Sequence, residues 1–510
     1  MSRRIRLTVV GEDYSVVPVT ETQTIFEQSI PGRTGFSLPP EPADTAAAVD
    51  AAIPAAFRRA VPAELPEVGE LQVMRHFTHL SGRTMGVETT FYPLGSCTMK
   101  YNPKVNEAIA GLPGFNHLHP SQPDATMQGL LECYHGLHEF LGTITGLPGV
   151  SLQPAAGAHG EYTALLVTKA YFADRGETDR LQVIIPDTAH GTNPASAVRV
   201  GMEPVHIKSD SRGRLDLDAL RAVVGPRTAC MMVTNPNTVG LFEDRIAEAA
   251  EIIHAAGGLV YIDGANFNAI VGRVRISDFG GDMMHINLHK TFSIPHGGGG
   301  SGCGPIVVRD FLAPYLPAPH IRKNDDGTFG FDRECPKSVG KVRSYFGNVN
   351  HVVRAYVYCR QLGEEGMRQV SDHAVLNANY LAALLAKAYD IPHGARCMHE
   401  FVIDATRQKK QGVTAKDIAK RLIDYGFHPP TTYFPLIIPE AVMIEPTETE
   451  NKEMLELFAG AMLDIARQSG DDPAEIQSAP HTTPVGRMDE LTAARNPVVV
   501  FHDQPSDGMD

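Results

Sequence analysis

Five short apolar runs, at 181–185, 204–207, 229–234, 259–262 and 283–288, recur through the middle of the chain at intervals that leave room for crossovers. Helix-like stretches such as 245–256 separate several of them. Short apolar runs bounded by turns read as strands covered on both faces, so a mostly parallel sheet flanked by helices is expected. In such sheets ligands bind beyond the carboxyl ends of the strands. Those ends are where polar residues gather: Asp187, Thr188, His190, Thr192 and Asn193 after the first run; Thr234, Asn235, Asn237 and Thr238 after the third; Asp263 and Asn266 after the fourth; His289 and Lys290 after the fifth. One such terminus would mean little, whereas four in order define a site.

At 510 residues the chain is too long for a single core. The expected division is an N-terminal arm and segment (1–115), a large domain (116–345) and a smaller C-terminal α+β domain (346–510). The content of 43% hydrophobic and 20% charged residues belongs to an ordinary soluble globular protein. A formal charge of −14 argues against nucleic acid as a partner. No run of about 18 apolar residues offers a membrane span, and the start lacks the long apolar region of a signal peptide. Seven cysteines occur without regular spacing, and neither a CxxC pair nor an HExxH motif is present. Reduced thiols, a cytoplasmic location and no metal are expected.

Two glycine-rich turns frame the candidate site. Ala155, Ala156, Gly157, His159 and Gly160 precede an amphipathic helix expected from about 161 to 172, and small residues there leave backbone amides free to hold a phosphate. This turn is neither a GxGxxG fingerprint nor a P-loop. The second turn, four consecutive glycines at 297–300, follows Lys290 and His296. Upstream, Arg75, His76, His79, Ser96, Thr98 and Lys100 form a polar cluster suited to the rim of an anion pocket. Beyond 345 the pattern reads as long helices, a strand in HEFVIDAT, a helix capped by Thr414, and sheet or edge in YFPLIIP and AVMIEPTE.

A lysine at the end of a buried strand can form a Schiff base with a carbonyl or with pyridoxal phosphate. Asp263 stands 27 positions before Lys290, room for one crossover, and a carboxylate there can keep a pyridine nitrogen protonated. His190 offers a flat ring for stacking. Singly, Lys290 also reads as a surface lysine, Asp263 as a turn or cap aspartate, and His190 as a structural histidine. The constellation is what pyridoxal chemistry requires.

The segments YPLGSCTMKYNP (92–103), DTAHGTNPASA (187–197), DGANFNA (263–269), NLHKTFSIPHGGGGSG (287–302), AVLNANYL (374–381) and IEPTETENK (444–452) carry a specific resemblance. Together they resemble the pyridoxal-phosphate glycine dehydrogenase (decarboxylating), the P-protein of the glycine cleavage system, and most closely the second subunit of its two-subunit form. The resemblance implies an aspartate-aminotransferase-like (fold type I) α/β enzyme. Lys290 would be the Schiff-base lysine, Asp263 the pyridinium partner and His190 the stacking ring. Ala156, Gly157, Thr234 and Asn235 would help bind the cofactor, with Thr291 and Ser293 as further hydroxyl candidates. Arg75, Ser96, Thr98, Lys100, His296 and Arg343 would line the glycine or lipoyl channel. The implied reaction releases CO2 from glycine and passes the aminomethyl group to the lipoyl group of the H protein. The implied assembly is an α2β2 heterotetramer with subunit 1. Alternatives are another fold-type-I pyridoxal enzyme (a hydroxymethyltransferase or an amino-acid decarboxylase) and a non-catalytic scaffold subunit.

Overall fold

The apolar runs become strands of one seven-stranded sheet. In chain order the strands are β1 (Gly149–Ser151), β2 (Gln182–Pro186), β3 (Glu203–Ile207), β4 (Thr228–Thr234), β5 (Leu259–Gly264), β6 (Met283–Ile286) and β7 (Ile306–Val308). Their order across the sheet is β1-β7-β6-β5-β4-β2-β3. The pairs β3/β2, β2/β4, β4/β5 and β5/β6 are parallel, while β7 runs antiparallel to both β6 and β1. Every residue of β4, β5 and β6 is buried, as strands covered on both faces must be. The computed structural model describes residues 5–10, 13–18, 23–42, 44–61, 63–393 and 396–499.

Helices supply that cover. They are α1 (Gln128–Thr145), α2 (Gly157–Asp174), α3 (Asn193–Arg199), α4 (Ile246–Ala255), the single turn α5 (Leu288–Thr291) and α6 (Val349–Leu385). Two apolar clusters result. One gathers Leu137, Leu141, Met231, Ile262, Met284 and Val352, and the other Leu165, Val183, Met232, Tyr261, Met283 and Leu312. Because Met231 and Met232 alternate between the clusters, they report the two faces of one strand.

Three sequence expectations shift. The fifth run, read as a strand to residue 288, ends at Ile286, and Leu288 opens a helical turn. Antiparallel β1 and β7 were not expected; at three residues each they are too short to show a period. The two C-terminal helical patterns form one long helix, interrupted at Gly363, whose φ of 62° breaks the helical run.

A smaller sheet follows. It contains β8 (Phe401–Asp404), β9 (Thr431–Thr432) and β10 (Ala441–Ile444), with β10 in the centre and both pairings antiparallel. Only two residues form β9, and YFPLIIP lies outside any strand. Helix α7 (Ala415–Asp424) is closed by a capping box in which Thr414 and Asp417 bond reciprocally. Helix α8 (Lys452–Asp471) is capped by Asn451. Phe401, Ile418, Leu422, Phe458 and Ile465 form the core of this part.

The chain separates into two compact units, 1–85 with 482–510, and 86–481. Both sheets named above belong to the second. The first contains an antiparallel pair (Ile5–Val10 with Asp13–Pro18) and helices Thr45–Ala52 and Glu70–Ser81. No helix among the described residues is long and apolar enough to cross a membrane.

Close approach of β7's leading loop to the start of α2 fixes the geometry at one end of the sheet. Gly304 N donates to Pro154 O at 2.9 Å, and a Cβ on Gly304 would lie 2.0 Å from Ala156 O. Gly304→Ala is therefore expected to destabilise the protein by about 1–3 kcal/mol. The measurement is the urea midpoint, which should fall; an unchanged midpoint would show that the loop ahead of α2 yields without cost.

Candidate functional site

Register builds the site first. Thr234 pairs with Asp263 across β4 and β5, and Asp263 pairs with His285 across β5 and β6. Three polar residues thus form one rung at the carboxyl end of the parallel strands. Beyond it, α5 carries Lys290, which is 6% exposed. Its Nζ has no hydrogen-bond or ion-pair partner among the described residues. The chain turns there because Leu288 N donates to Cys303 O (3.0 Å) and Lys290 N to Asn287 O (3.0 Å).

Asp263 is wholly buried. Its Oδ1 accepts from Ala265 N at 2.9 Å, and its Oδ2 accepts from Asn193 Nδ2 at 3.0 Å. His285 Nε2 stands 3.6 Å from Oδ1, and Tyr261 hydrogen-bonds His285 Nδ1. Burial raises the Tyr261 phenol well above its ordinary value, so it keeps its proton and donates to Nδ1. His285 Nε2–H then faces the carboxylate. Burial disfavours the Asp263 charge, yet His285, His190, Asn193 and Ala265 together hold the carboxyl below its ordinary value. Burial also lowers His285 to about 4, so at neutral pH it acts on Asp263 as a neutral donor.

His190 is half-buried and held at two points. Its backbone N donates to Thr234 Oγ1 at 2.9 Å, and its Nε2 lies 2.8 Å from Ser96 Oγ. Asn235 is fully buried; Oδ1 accepts from Glu243 N (3.0 Å), while Nδ2 has no partner. The start of α2 carries no capping side chain. A Cβ on Gly157 would lie 2.4 Å from Asn287 Oδ1, so a side chain there would displace the Asn287 amide. Thr291 Oγ1 and Asn287 Oδ1 are buried without partners. Ser293 donates to Tyr101 O instead.

The Lys290 charge reaches this whole neighbourhood. Burial first, and that charge after it, lower His289 and His399 to about 3 and depress His296. His296 is half-buried, with Nδ1 accepting from Gly299 N at 3.1 Å. Gly297, Gly298 and Gly299 take φ values of 63°, 64° and 97°, the left-handed region that glycine enters freely.

The loop of Ser96, Thr98 and Lys100 ties the two sheets together. Ser96 (φ 62°) and Thr98 (φ 50°) are left-handed, a conformation that neighbours must hold in place. Ser96 N donates to Glu400 Oε2 (2.8 Å), and Thr98 bonds Glu445 through both N (2.9 Å) and Oγ1 (2.6 Å). Burial and the charge of Glu445 push Glu400 well above the ordinary carboxylate range, and burial raises Glu445 to about 6.

Lys100, expected from the resemblance at the channel, has its ammonium occupied. Nζ contacts Glu448 Oε1 (2.7 Å), Asn268 Oδ1 (2.8 Å), Thr291 O (2.9 Å) and Tyr358 OH (3.2 Å). Four acceptors leave none of its three protons free for a substrate. Arg343 is half-buried, and its Nη1 is buried without a partner. Arg75 is exposed on the helix Glu70–Ser81, in the first unit.

Glu161, Tyr261, His285, His399, Glu400 and Glu445 were not among the residues singled out from the sequence. His285 and Tyr261 sit inside apolar strand runs, where a polar residue was the available signal. Glu161 resembled an ordinary first-turn helix glutamate, and nothing local marks Glu400.

A seven-stranded sheet of this order, a buried lysine at the end of one strand and a carboxylate at the end of its neighbour define the fold of the pyridoxal-phosphate enzymes of the aminotransferase type. The aminotransferase class-V family model matches residues 166–314, and the model for the glycine dehydrogenase C-terminal domain matches 370–481. The chain is 54% identical over 477 residues to the probable glycine dehydrogenase (decarboxylating) subunit 2 of Listeria monocytogenes serotype 4a, spanning 94% of this chain and 97% of that one. The same figures hold for the protein of that name from Halalkalibacterium halodurans. The chain belongs to the family of glycine dehydrogenase (decarboxylating) subunit 2. Among solved structures, glycine decarboxylase (P-protein) in inhibitor-bound form matches with a TM-score of 0.69 at 20% identity, over 82% of this chain and 94% of that one. The sphingosine-1-phosphate lyase of Burkholderia pseudomallei matches with a TM-score of 0.59 at 15% identity, over 83% and 96%.

The Lys100 geometry generates a stability prediction. Burial disfavours its charge, but Glu448 and Tyr358 outweigh this and hold the amine above the ordinary lysine value. Lys100→Met would strand Glu448 and is expected to cost about 3–5 kcal/mol. The check is thermal unfolding, where the midpoint should drop; an unchanged midpoint would mean that the buried pair adds nothing.

Proposed function

We propose that this chain is the cofactor-bearing subunit of glycine dehydrogenase (decarboxylating). Glycine loses its carboxyl group as CO2. Its aminomethyl carbon bonds to one sulfur of a lipoyl disulfide on the H protein, and the other sulfur leaves as a thiol. The observation that carries this reading is the Lys290 amine, buried and without a partner among the described residues, one strand away from a fully buried Asp263.

The residues fit pyridoxal phosphate. The start of α2 offers backbone amides with no competing cap, and Gly157 packs close against the Asn287 amide. Asn235 Nδ2 and Thr291 Oγ1 are buried polar groups without partners among the described residues, and leaving them unbonded is costly. When bound, this cofactor supplies a carbonyl for an amine and a ring that accepts the electrons released by decarboxylation.

Each residue then has a defined task. Lys290 would hold the cofactor through its amine and move a proton to and from the reacting carbon. Asp263 would keep a proton on the pyridine nitrogen. His190, fixed by Thr234 and Ser96, would offer its ring for stacking. The amides of the Ala156 and Gly157 turn would hold the phosphate. Arg343 Nη1 would meet an anionic group, and His296 with its glycines would line the channel. Ser96, Thr98 and Lys100 brace this arrangement through Glu400, Glu445 and Glu448.

The assembly is an α2β2 heterotetramer with subunit 1, working in the cytoplasm with lipoylated H protein. The name of the relatives, subunit 2, supports a partner subunit.

Glycine-dependent exchange of labelled bicarbonate into the glycine carboxyl, with lipoylated H protein and subunit 1 present, tests the reaction. Wild type should exchange, and Asp263→Ala should fall by about 100-fold or more, equivalent to about 2.7 kcal/mol in barrier. Borohydride reduction should fix the cofactor mass on the peptide containing Lys290. Near-normal exchange by Asp263→Ala, or cofactor fixed at another lysine, would overturn the assignment.

A further inference from the structure

A second carboxyl group stands behind Asp263. Glu161, on the second turn of α2, is 2% exposed. Its Oε2 accepts from Asn193 Nδ2 at 2.9 Å, and the same nitrogen donates to Asp263 Oδ2 at 3.0 Å. Thr192 Oγ1 (3.1 Å, to Oε1) and Ser196 Oγ (3.3 Å, to Oε2) complete the contacts of Glu161. Ligand-type atoms of Glu161, Asp263 and His285 all lie within 4.8 Å of one another. Asn193 itself is fully buried.

Two carboxylates bracketing one amide nitrogen, out of water, cannot both carry charge at neutral pH. Neither is ion-paired with a lysine or arginine among the described residues. The titratable groups that bear on the pair are Tyr261 from β5, His285 from β6, His190 ahead of α3 and Lys290 on α5. The two environments differ. Asp263 receives a backbone N–H and faces the imidazole N–H, groups that only donate. Glu161 meets two hydroxyls, which can accept a hydrogen bond from a protonated carboxyl as readily as they donate one.

We propose that Glu161 is a positioning residue that holds the single proton of this carboxyl pair, through Asn193, so that the negative charge stays on Asp263. The inference rests on the proposed role of Asp263 toward the pyridine nitrogen. Burial, with the Asp263 charge after it, raises Glu161 to about 8, while Asp263 lies below its ordinary value. A group placed in this way keeps Asn193 aimed at Asp263 without adding a second charge next to it. Its proton is retained through the neutral range and released only as the pH rises past about 8.

Infrared spectroscopy of the cofactor-free protein reads the proton directly. The wild-type spectrum minus that of Glu161→Gln, in which the protonated Glu400 cancels, should show a protonated-carboxyl C=O band at pH 7 that disappears as the pH is raised through about 8. Pyridoxal phosphate affinity gives a second reading. Glu161→Gln, a neutral mimic that still accepts from Asn193, should bind within about threefold of wild type, whereas Glu161→Leu, which removes the acceptor, should bind about tenfold or more weakly. Absence of that band from the difference spectrum, or a Glu161→Gln protein as weak as Glu161→Leu, overturns the proposal. Failure of wild type to bind pyridoxal phosphate would sink the cofactor reading instead and leave the infrared result standing.

Discussion

A carboxylate charge kept wholly out of water, at Asp263, is the constraint on which the site depends. Isolated, such a charge would cost several kcal/mol and the group would take up a proton. The fold meets it with donors from three separate elements: Ala265 N just past β5, Asn193 Nδ2 on α3, and His285 across the β5–β6 register. Each donor is positioned by something else in turn. Tyr261 sets the tautomer of His285, and Glu161 shares the amide of Asn193.

The same end of the sheet receives the strained loop at 95–100. Left-handed Ser96 and Thr98 are not stable choices for a loop on its own. They persist because Glu400 and Glu445, 304 and 347 positions away along the chain, accept their backbone N–H groups. Lys100 adds a buried ion pair with Glu448 of the same C-terminal part. Ser96 also reaches His190, so the bracing of the smaller sheet is transmitted to a residue of the site. A loop that reads in the sequence as the rim of an anion pocket is, for Thr98 and Lys100, a cross-brace whose polar groups are already used.

Much of the large sheet was legible in the sequence because strands buried on both faces are continuous apolar runs. All five expected runs match strands to within one or two residues. What escaped detection was short or non-local. β1 and β7 have three residues each and owe their existence to pairing with each other and with β6. Leu288 is apolar and fully buried, so it extended the strand pattern, yet its backbone turns because Cys303 O captures its N–H. The site was legible to the same extent. Lys290, Asp263 and His190 fall at strand ends, where a polar residue after an apolar run is conspicuous. Glu161, Glu400 and Glu445 lie in helix or strand contexts where glutamate is unremarkable, and only burial distinguishes them.

The sequence alone determined the parallel sheet, the order of its polar termini and the family to which the motifs point, because hydrophobic periodicity and turn chemistry act over a few residues. Tertiary structure decided which polar groups meet, which of them are dry, and which already have partners. Those outcomes depend on contacts between residues tens to hundreds of positions apart, and on burial that no local window contains. Lys100 and Arg343 illustrate the difference. Both are cations suggested for one channel, but the fold surrounds the first with four acceptors and leaves a nitrogen of the second with none.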